Sequence, residues 1–281
     1  MSAIGGDGVG HRIAVPGRPD AEIVVDWAAR SDVGHRRAVN EDSVIAAPPV
    51  FAVADGMGGH AAGDRASAAV VERLAGASRD TGPIDLAHLQ AALTAAAGDI
   101  DRIAENIPAG VGTTVTGAAL VWRGERPEFA VFNIGDSRVY AFADGDLRQV
   151  TVDHSVVQEL VDAGLLDAAD AEHHPDSNVI TRAVGFRERP RPDVWPLPLT
   201  AGLRLLICSD GLTKELSGDR LREEMAAGRS AADTADTLVD AALAAGGRDN
   251  VTVVVVDVVA VPEAPPRGRR RAHPNSGGAS G

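Results

Sequence analysis

The sequence predicts an α+β fold in which antiparallel sheets are covered by helices, and three observations carry that expectation. Short, β-branched apolar runs recur at residues 23–25, 51–54, 114–122, 129–132, 139–142, 203–208 and 251–259, the composition of strands. Alanine-rich stretches of helical character lie between them, at 61–77, 86–106, 155–163 and 231–245,. The strands also come partly as a consecutive central group rather than strictly alternating with helices. That order favours antiparallel pairing with helices packed outside.

With 281 residues, 44% of them hydrophobic, the chain is long enough for one large core. The reading is a single domain over 21–260 between two Gly/Pro-rich, disordered tails, 1–20 and 261–281. Arg269, Arg270 and Arg271 then form a solvated basic run in the second tail. A net charge of -13 and a pI near 5.0 exclude the broad attraction to phosphate backbones on which nucleic-acid binders depend. Cys208 is the only cysteine, so no disulfide can form within the chain, which suits a reducing cytoplasm. The first ten residues lack the charged and apolar regions of a secretory signal, and no run approaches the roughly 20 apolar residues of a membrane span. The expectation is a soluble, cytoplasmic monomer. Lys214 is the only lysine, and the excess of arginine and alanine reads as a genomic bias without chemical meaning.

Four apolar runs share a feature: each ends or begins at an aspartate beside a small or polar residue. They are FAVADG to Asp55, VFNIGDSR to Asp136, LLICSDG to Asp210 and GGRDNVTVVVV around Asp249. Desolvating an acid at the mouth of a buried strand costs free energy unless something compensates it. Any one of these could be a turn residue; four in equivalent places point to a shared site. Converging carboxylates repel one another until cations or protons balance them. Hard oxygen donors without a zinc-spaced Cys/His cluster suit Mg²⁺ or Mn²⁺. Paired ions clamp an attacking water and an ester oxygen, so the chemistry expected is phosphoryl hydrolysis. Arg37, just ahead of Asn40, Glu41 and Asp42, can bind a phosphate through paired hydrogen bonds or pair with one of those acids on the surface.

Eight segments in order, from about Val24 to Val258, give these pieces a context: SDVGHRRAVNEDS, ADGMGGHAAGD, GVGTTVTGAAL, NIGDSRVY, DHSVVQELVDAGLL, HHPDSNVITRAVG, LLICSDGLT and GGRDNVTVVVVDV. With them the chain resembles the bacterial branch of the type 2C, metal-dependent serine/threonine protein phosphatases. The resemblance implies a four-layer β-sandwich flanked by helices, with metal ions in the channel between the sheets. It also implies that Asp55 bridges two Mn²⁺ or Mg²⁺ ions, that the Gly56 carbonyl binds one, and that Asp210 and Asp249 complete the pair. Glu41 would be a ligand through water, Asp136 with Asp210 would hold a third ion, and Arg37 would bind the substrate phosphate. Phosphorylated proteins are the implied substrates, and a bacterial Ser/Thr protein kinase the implied partner in signal transduction.

His60 is a candidate general acid, since an alkoxide leaving group benefits from a proton donor that titrates near neutrality. Met57 stands where eukaryotic relatives place the acid histidine, and a helix-start histidine without catalytic duty is the alternative. Residues 152–185 resemble the family's flap, with Asp176 and Ser177 where a basic residue is common, and Asp64 replaces the more usual Glu. Other chemistries fit less well. Gly56, Gly58 and Ala61 match a dinucleotide fingerprint, but Asp55 would repel the pyrophosphate. A cysteine phosphatase would need an arginine six residues after Cys208, where Lys214 stands, so Cys208 reads as a buried strand residue. No Walker A loop exists, because Thr213 precedes Lys214. A non-catalytic phosphoprotein-binding module should have lost an aspartate, and all four are present.

Overall fold

The structure is a computed structural model that describes residues 1–58, 62–77, 84–108, 110–124 and 126–262. Its strands, in chain order, are β1 (Ala3–Gly5), β2 (Gly8–Val15), β3 (Arg18–Asp32), β4 (Asp42–Ala47), β5 (Val50–Met57), β6 (Gly112–Thr113) and β7 (Val115–Arg123). They continue with β8 (Arg126–Ile134), β9 (Arg138–Ala143), β10 (Asp146–Gln149), β11 (Val184–Gly185), β12 (Asp193–Pro198), β13 (Arg204–Cys208) and β14 (Val251–Ala260). The helices are α1 (Gly63–Ala77), α2 (Leu86–Ile103), α3 (Val156–Asp162), α4 (Asp210–Thr213), α5 (Gly218–Ala226) and α6 (Ala231–Ala245).

Among the described residues these strands build two sheets. The first runs β1-β4-β5-β7-β8-β12, with β6 and β11 attached beside β5, and the second runs β10-β9-β13-β14-β3-β2. Pairing is antiparallel apart from β1 on β4, which is parallel. Because successive strand residues face opposite sides, a strand buried on both faces must be apolar at every position. In β5, Val50, Ala52 and Ala54 pack under α1 and α2 while Phe51 and Val53 point between the sheets. In β14, Val251, Val253 and Val255 meet α4 to α6 and Val254, Val256 and Val258 face the inter-sheet core. The result is helix, sheet, sheet, helix, the expected α+β sandwich. Four of the helices start at side-chain caps, with Asp85 accepting from Ala87 N at α2 and Ser155, Ser217 and Ser230 capping α3, α5 and α6,.

Every apolar run singled out in the sequence falls on a strand, with 114–122 and 203–208 each starting one residue ahead of β7 and β13, and α6 has the limits read for it. The N-terminal expectation needs correction. Residues 1–20 are not a tail, because β1 extends the first sheet and β2 the second. Ile13 and Val15 alternate into the inter-sheet core, and Trp27 Nε1 donates to the carbonyls of Gly6 and Ala46 at 2.6 and 2.9 Å. Two inward residues among glycines and prolines are too few for a periodicity signal, yet they suffice once β3 supplies a 15-residue partner. The expected C-terminal tail lies, from residue 263 on, outside the described residues. No helix among the described residues is long and apolar enough to cross a membrane.

Candidate metal centre

The acids gather at one end of the sandwich because the strands that carry them stop there. Asp55 lies near the end of β5, next to Gly56, and Asp136 sits in the turn from β8 to β9. Asp210 opens α4 immediately past β13, while Asp249 precedes β14. Cys208 and Val253 are register partners, so Asp210 and Asp249 emerge side by side. Asp55 is fixed by its backbone: its N–H donates to Thr114 Oγ1 at 3.0 Å, and its carbonyl accepts from Thr113 Oγ1 at 2.8 Å.

Electrostatics register the crowding. Burial, followed by the charges of Asp42, Asp210, Asp136 and Asp249, holds the Asp55 carboxyl well above the usual carboxylate range,. Asp136 is pushed up to about 7 by burial and Asp210, with Lys214 opposing. Burial also raises Glu41, against a backbone hydrogen bond from Gly63.

Cations hold two of the acids. Arg37 forms a fork on Asp249, with Nε to Oδ1 at 2.8 Å and Nη2 to Oδ2 at 2.8 Å, so its partner is not one of the neighbouring acids. Lys214 Nζ bonds Asp210 Oδ2 from one helical turn away. Among the described residues no three His, Cys, Asp or Glu side chains already form a closed cage for an ion. The chemistry nonetheless fits hard cations. Asp210 Oδ1 is buried without a hydrogen-bond partner, the donors are oxygens, and the net negative charge is uncompensated.

Two glycines let the backbones close in. A Cβ on Gly56 would stand 2.1 Å from the Gly63 carbonyl oxygen and 2.6 Å from that of Glu41; one on Gly211 would stand 2.0 Å from the Asn250 oxygen. Gly56→Ala is therefore expected to cost about 2–3 kcal/mol, the scale of overpacking a tight site. Urea unfolding of the variant measures it, and an unchanged midpoint would contradict the close approach.

Some supporting residues were not among the four aspartates singled out from the sequence. Asp42 is fully buried on β4 and accepts from Ser209 Oγ at 2.9 Å and Thr252 Oγ1 at 2.6 Å, joining the first sheet to the second. Burial pushes it up to about 7. Asn250 donates to the carbonyls of Val33 and Val39 at 2.9 and 3.1 Å and accepts from Glu41 N at 2.8 Å, so it shapes the loop bearing Arg37. His154, in the fifth motif, accepts from Gly135 N through Nδ1 at 3.1 Å and meets Asp193 through Nε2 at 3.1 Å. A ring that accepts at Nδ1 carries its proton on Nε2 and is neutral. Burial lowers its pKa accordingly, and it pins the turn of Asp136. The sequence signal for Asp42 and Asn250 was only their position beside the acids already chosen.

His60 lies outside the described residues. Cys208 is fully buried on β13, and burial pushes its thiol up to about 12, which disposes of a thiolate nucleophile. Beside the acids lies a cavity of about 490 Å³, lined by Asp136, Asp210 and Asp249 together with His173, Ser177 and Asn178 of the flap-like segment.

A family model described as protein phosphatase 2C matches residues 34–245. The chain belongs to this family. The 2C match contains Arg37, Asp55, Asp136 and Asp210 and ends just ahead of Asp249. A curated relative, the serine/threonine protein phosphatase PstP of Mycobacterium tuberculosis, is 43% identical over 240 residues, which cover 84% of this chain and 46% of that protein. The chain thus spans about half the length of that relative. The serine/threonine phosphatase stp of Listeria innocua is 34% identical over 240 residues, 81% of this chain and 94% of that protein. Among solved structures, the PstP catalytic domain in complex with two manganese ions superposes with a TM-score of 0.76 at 41% identity, covering 85% of this chain and all of that one.

Proposed function

We propose that this chain is a metal-dependent phosphatase that hydrolyses phosphoserine and phosphothreonine on proteins, acting as a cytoplasmic monomer that opposes a bacterial Ser/Thr protein kinase. The observation that carries it is the convergence of Asp55, Asp136, Asp210 and Asp249 at one sandwich end, with a buried Asp210 oxygen left unbonded. The relatives named serine/threonine phosphatases, and the manganese in one of their structures, support this reading.

Asp55, Asp210, Asp249 and the Gly56 carbonyl would hold two Mn²⁺ or Mg²⁺ ions. Such ions neutralise the carboxylates, activate a water and polarise the phosphoryl oxygens. Arg37 supplies orientation. Its guanidinium presents paired donors and is half exposed, so with Asp249 serving a cation the fork would be free to take two phosphate oxygens. The cavity beside the acids accommodates the peptide around the phosphorylated residue.

Hydrolysis of a phosphothreonine peptide should appear with Mn²⁺ and vanish in chelator. Arg37→Ala should raise KM by about ten- to a hundredfold with kcat changed far less, the scale of charged hydrogen bonds lost from bound substrate. Activity indifferent to chelation, or an unchanged KM, would refute the respective assignment.

A further inference from the structure

We propose that the Lys214 ammonium is a built-in cation standing in the place of a third metal ion between Asp136 and Asp210. This rests on the two-metal reading above and makes it more specific: the site takes two ions and supplies the next positive charge from its own chain.

Lys214 caps the C-terminal end of α4, and the four-residue spacing directs its side chain back onto Asp210, the first residue of that helix,. Nζ bonds Asp210 Oδ2, whereas Oδ1 of the same carboxylate is buried without a partner. One oxygen is thus served by the ammonium and the other is left for an ion. Asp136 lines the same cavity as Lys214 and Asp210. The lysine backbone is also anchored. Its carbonyl accepts from Arg248 Nη2 at 3.0 Å, and Arg248 Nε is held by Glu215 Oε1 at 2.9 Å.

Residue type carries the argument further. Of 27 lysines and arginines, Lys214 is the single lysine, so the compositional bias that seemed empty of chemistry breaks at one place, the rim of the acidic cluster. A guanidinium is a planar fork that spans two acceptors; an ammonium is a compact point charge with donors in several directions. Only the second resembles a small hard cation seated between carboxylates.

The test is metal stoichiometry of the full chain, measured by equilibrium dialysis against millimolar Mn²⁺ with atomic absorption. Wild type should bind about two ions, and Lys214→Met, which keeps the aliphatic stem, about three, with the added ion lost again in Lys214→Met/Asp136→Asn. Lys214→Gln repeats the test with a polar side chain. Equal counts in wild type and both single variants would overturn the proposal, as would an added ion that survives Asp136→Asn. Absence of bound Mn²⁺ from every protein would instead refute the two-metal reading itself, and the role of Lys214 with it.

Discussion

Asp210→Asn is expected to lower kcat/KM by about three orders of magnitude while leaving the metal-free fold at least as stable as wild type. The two effects share one cause. Asp210 contributes an unbonded buried oxygen to the site, and its charge raises the carboxyls of Asp42, Asp55 and Asp136. Losing one anionic ligand removes several kcal/mol of transition-state charge stabilisation by the ions, and about 4 kcal/mol corresponds to roughly a thousandfold in rate. Without metal, the same substitution removes repulsion felt by three buried carboxyls, against which the loss of one partly exposed ion pair with Lys214 counts for less,. Steady-state hydrolysis of a phosphothreonine peptide and thermal melts in chelator measure the pair. Retained activity would remove Asp210 from the metal site, and a clear loss of metal-free stability would mean that its carboxylate is a structural partner instead.

The second large effect is a pH dependence that Mn²⁺ reverses. Asp136 has a pKa of about 7 in the folded chain against an ordinary 3.8. Between these values the folded state holds more protons than the unfolded state, so stability falls as pH rises. The contribution of Asp136 is therefore fully present below pH 3.8 and lost by about pH 7. Asp99, Asp193 and Glu215 are shifted the other way, so the comparison to make is wild type against Asp136→Asn, in which those groups cancel. In chelator, the melting temperature of wild type should drop relative to the variant as pH climbs from 4 to 7. Mn²⁺ at about a hundred times its Kd should raise the wild-type value near pH 7 by roughly 5–10 °C. A difference between the two proteins that does not vary with pH would contradict the burial of Asp136 among like charges.

Much of this was legible in the sequence, for identifiable reasons. Strands buried on both faces must be apolar where they are buried, which made the buried stretches of β5, β8, β13 and β14 conspicuous, and the carboxylates beside their ends stood out by contrast. What stayed hidden depends on partners distant in the chain. Arg37 lies beside Glu41 and Asp42 in sequence but pairs with Asp249, because Asn250 folds the 33–40 loop against the start of β14. The hydroxyls that make Asp42 tolerable come from Ser209 and Thr252, and no local pattern announces them. β2 was obscured by its own glycines, and His154 by a motif whose relevance lies in the turn it supports rather than in any acid of its own.

Asp42 has a mechanical consequence. Between the sheets lies a large apolar cluster, and apolar attraction is itself non-directional. At the acidic end, one carboxylate ties β4 to the segments around β13 and β14, and Ser209 Oγ in turn accepts from Thr252 N at 3.0 Å. Together with the hydrogen bond from Trp27 Nε1 to the Ala46 carbonyl, Asp42 ties β4 to the second sheet near both of its ends. The relative placement of the two sheets at the acidic end is thus set by directional hydrogen bonds and not by apolar packing alone, which suits a site whose chemistry depends on ångström precision.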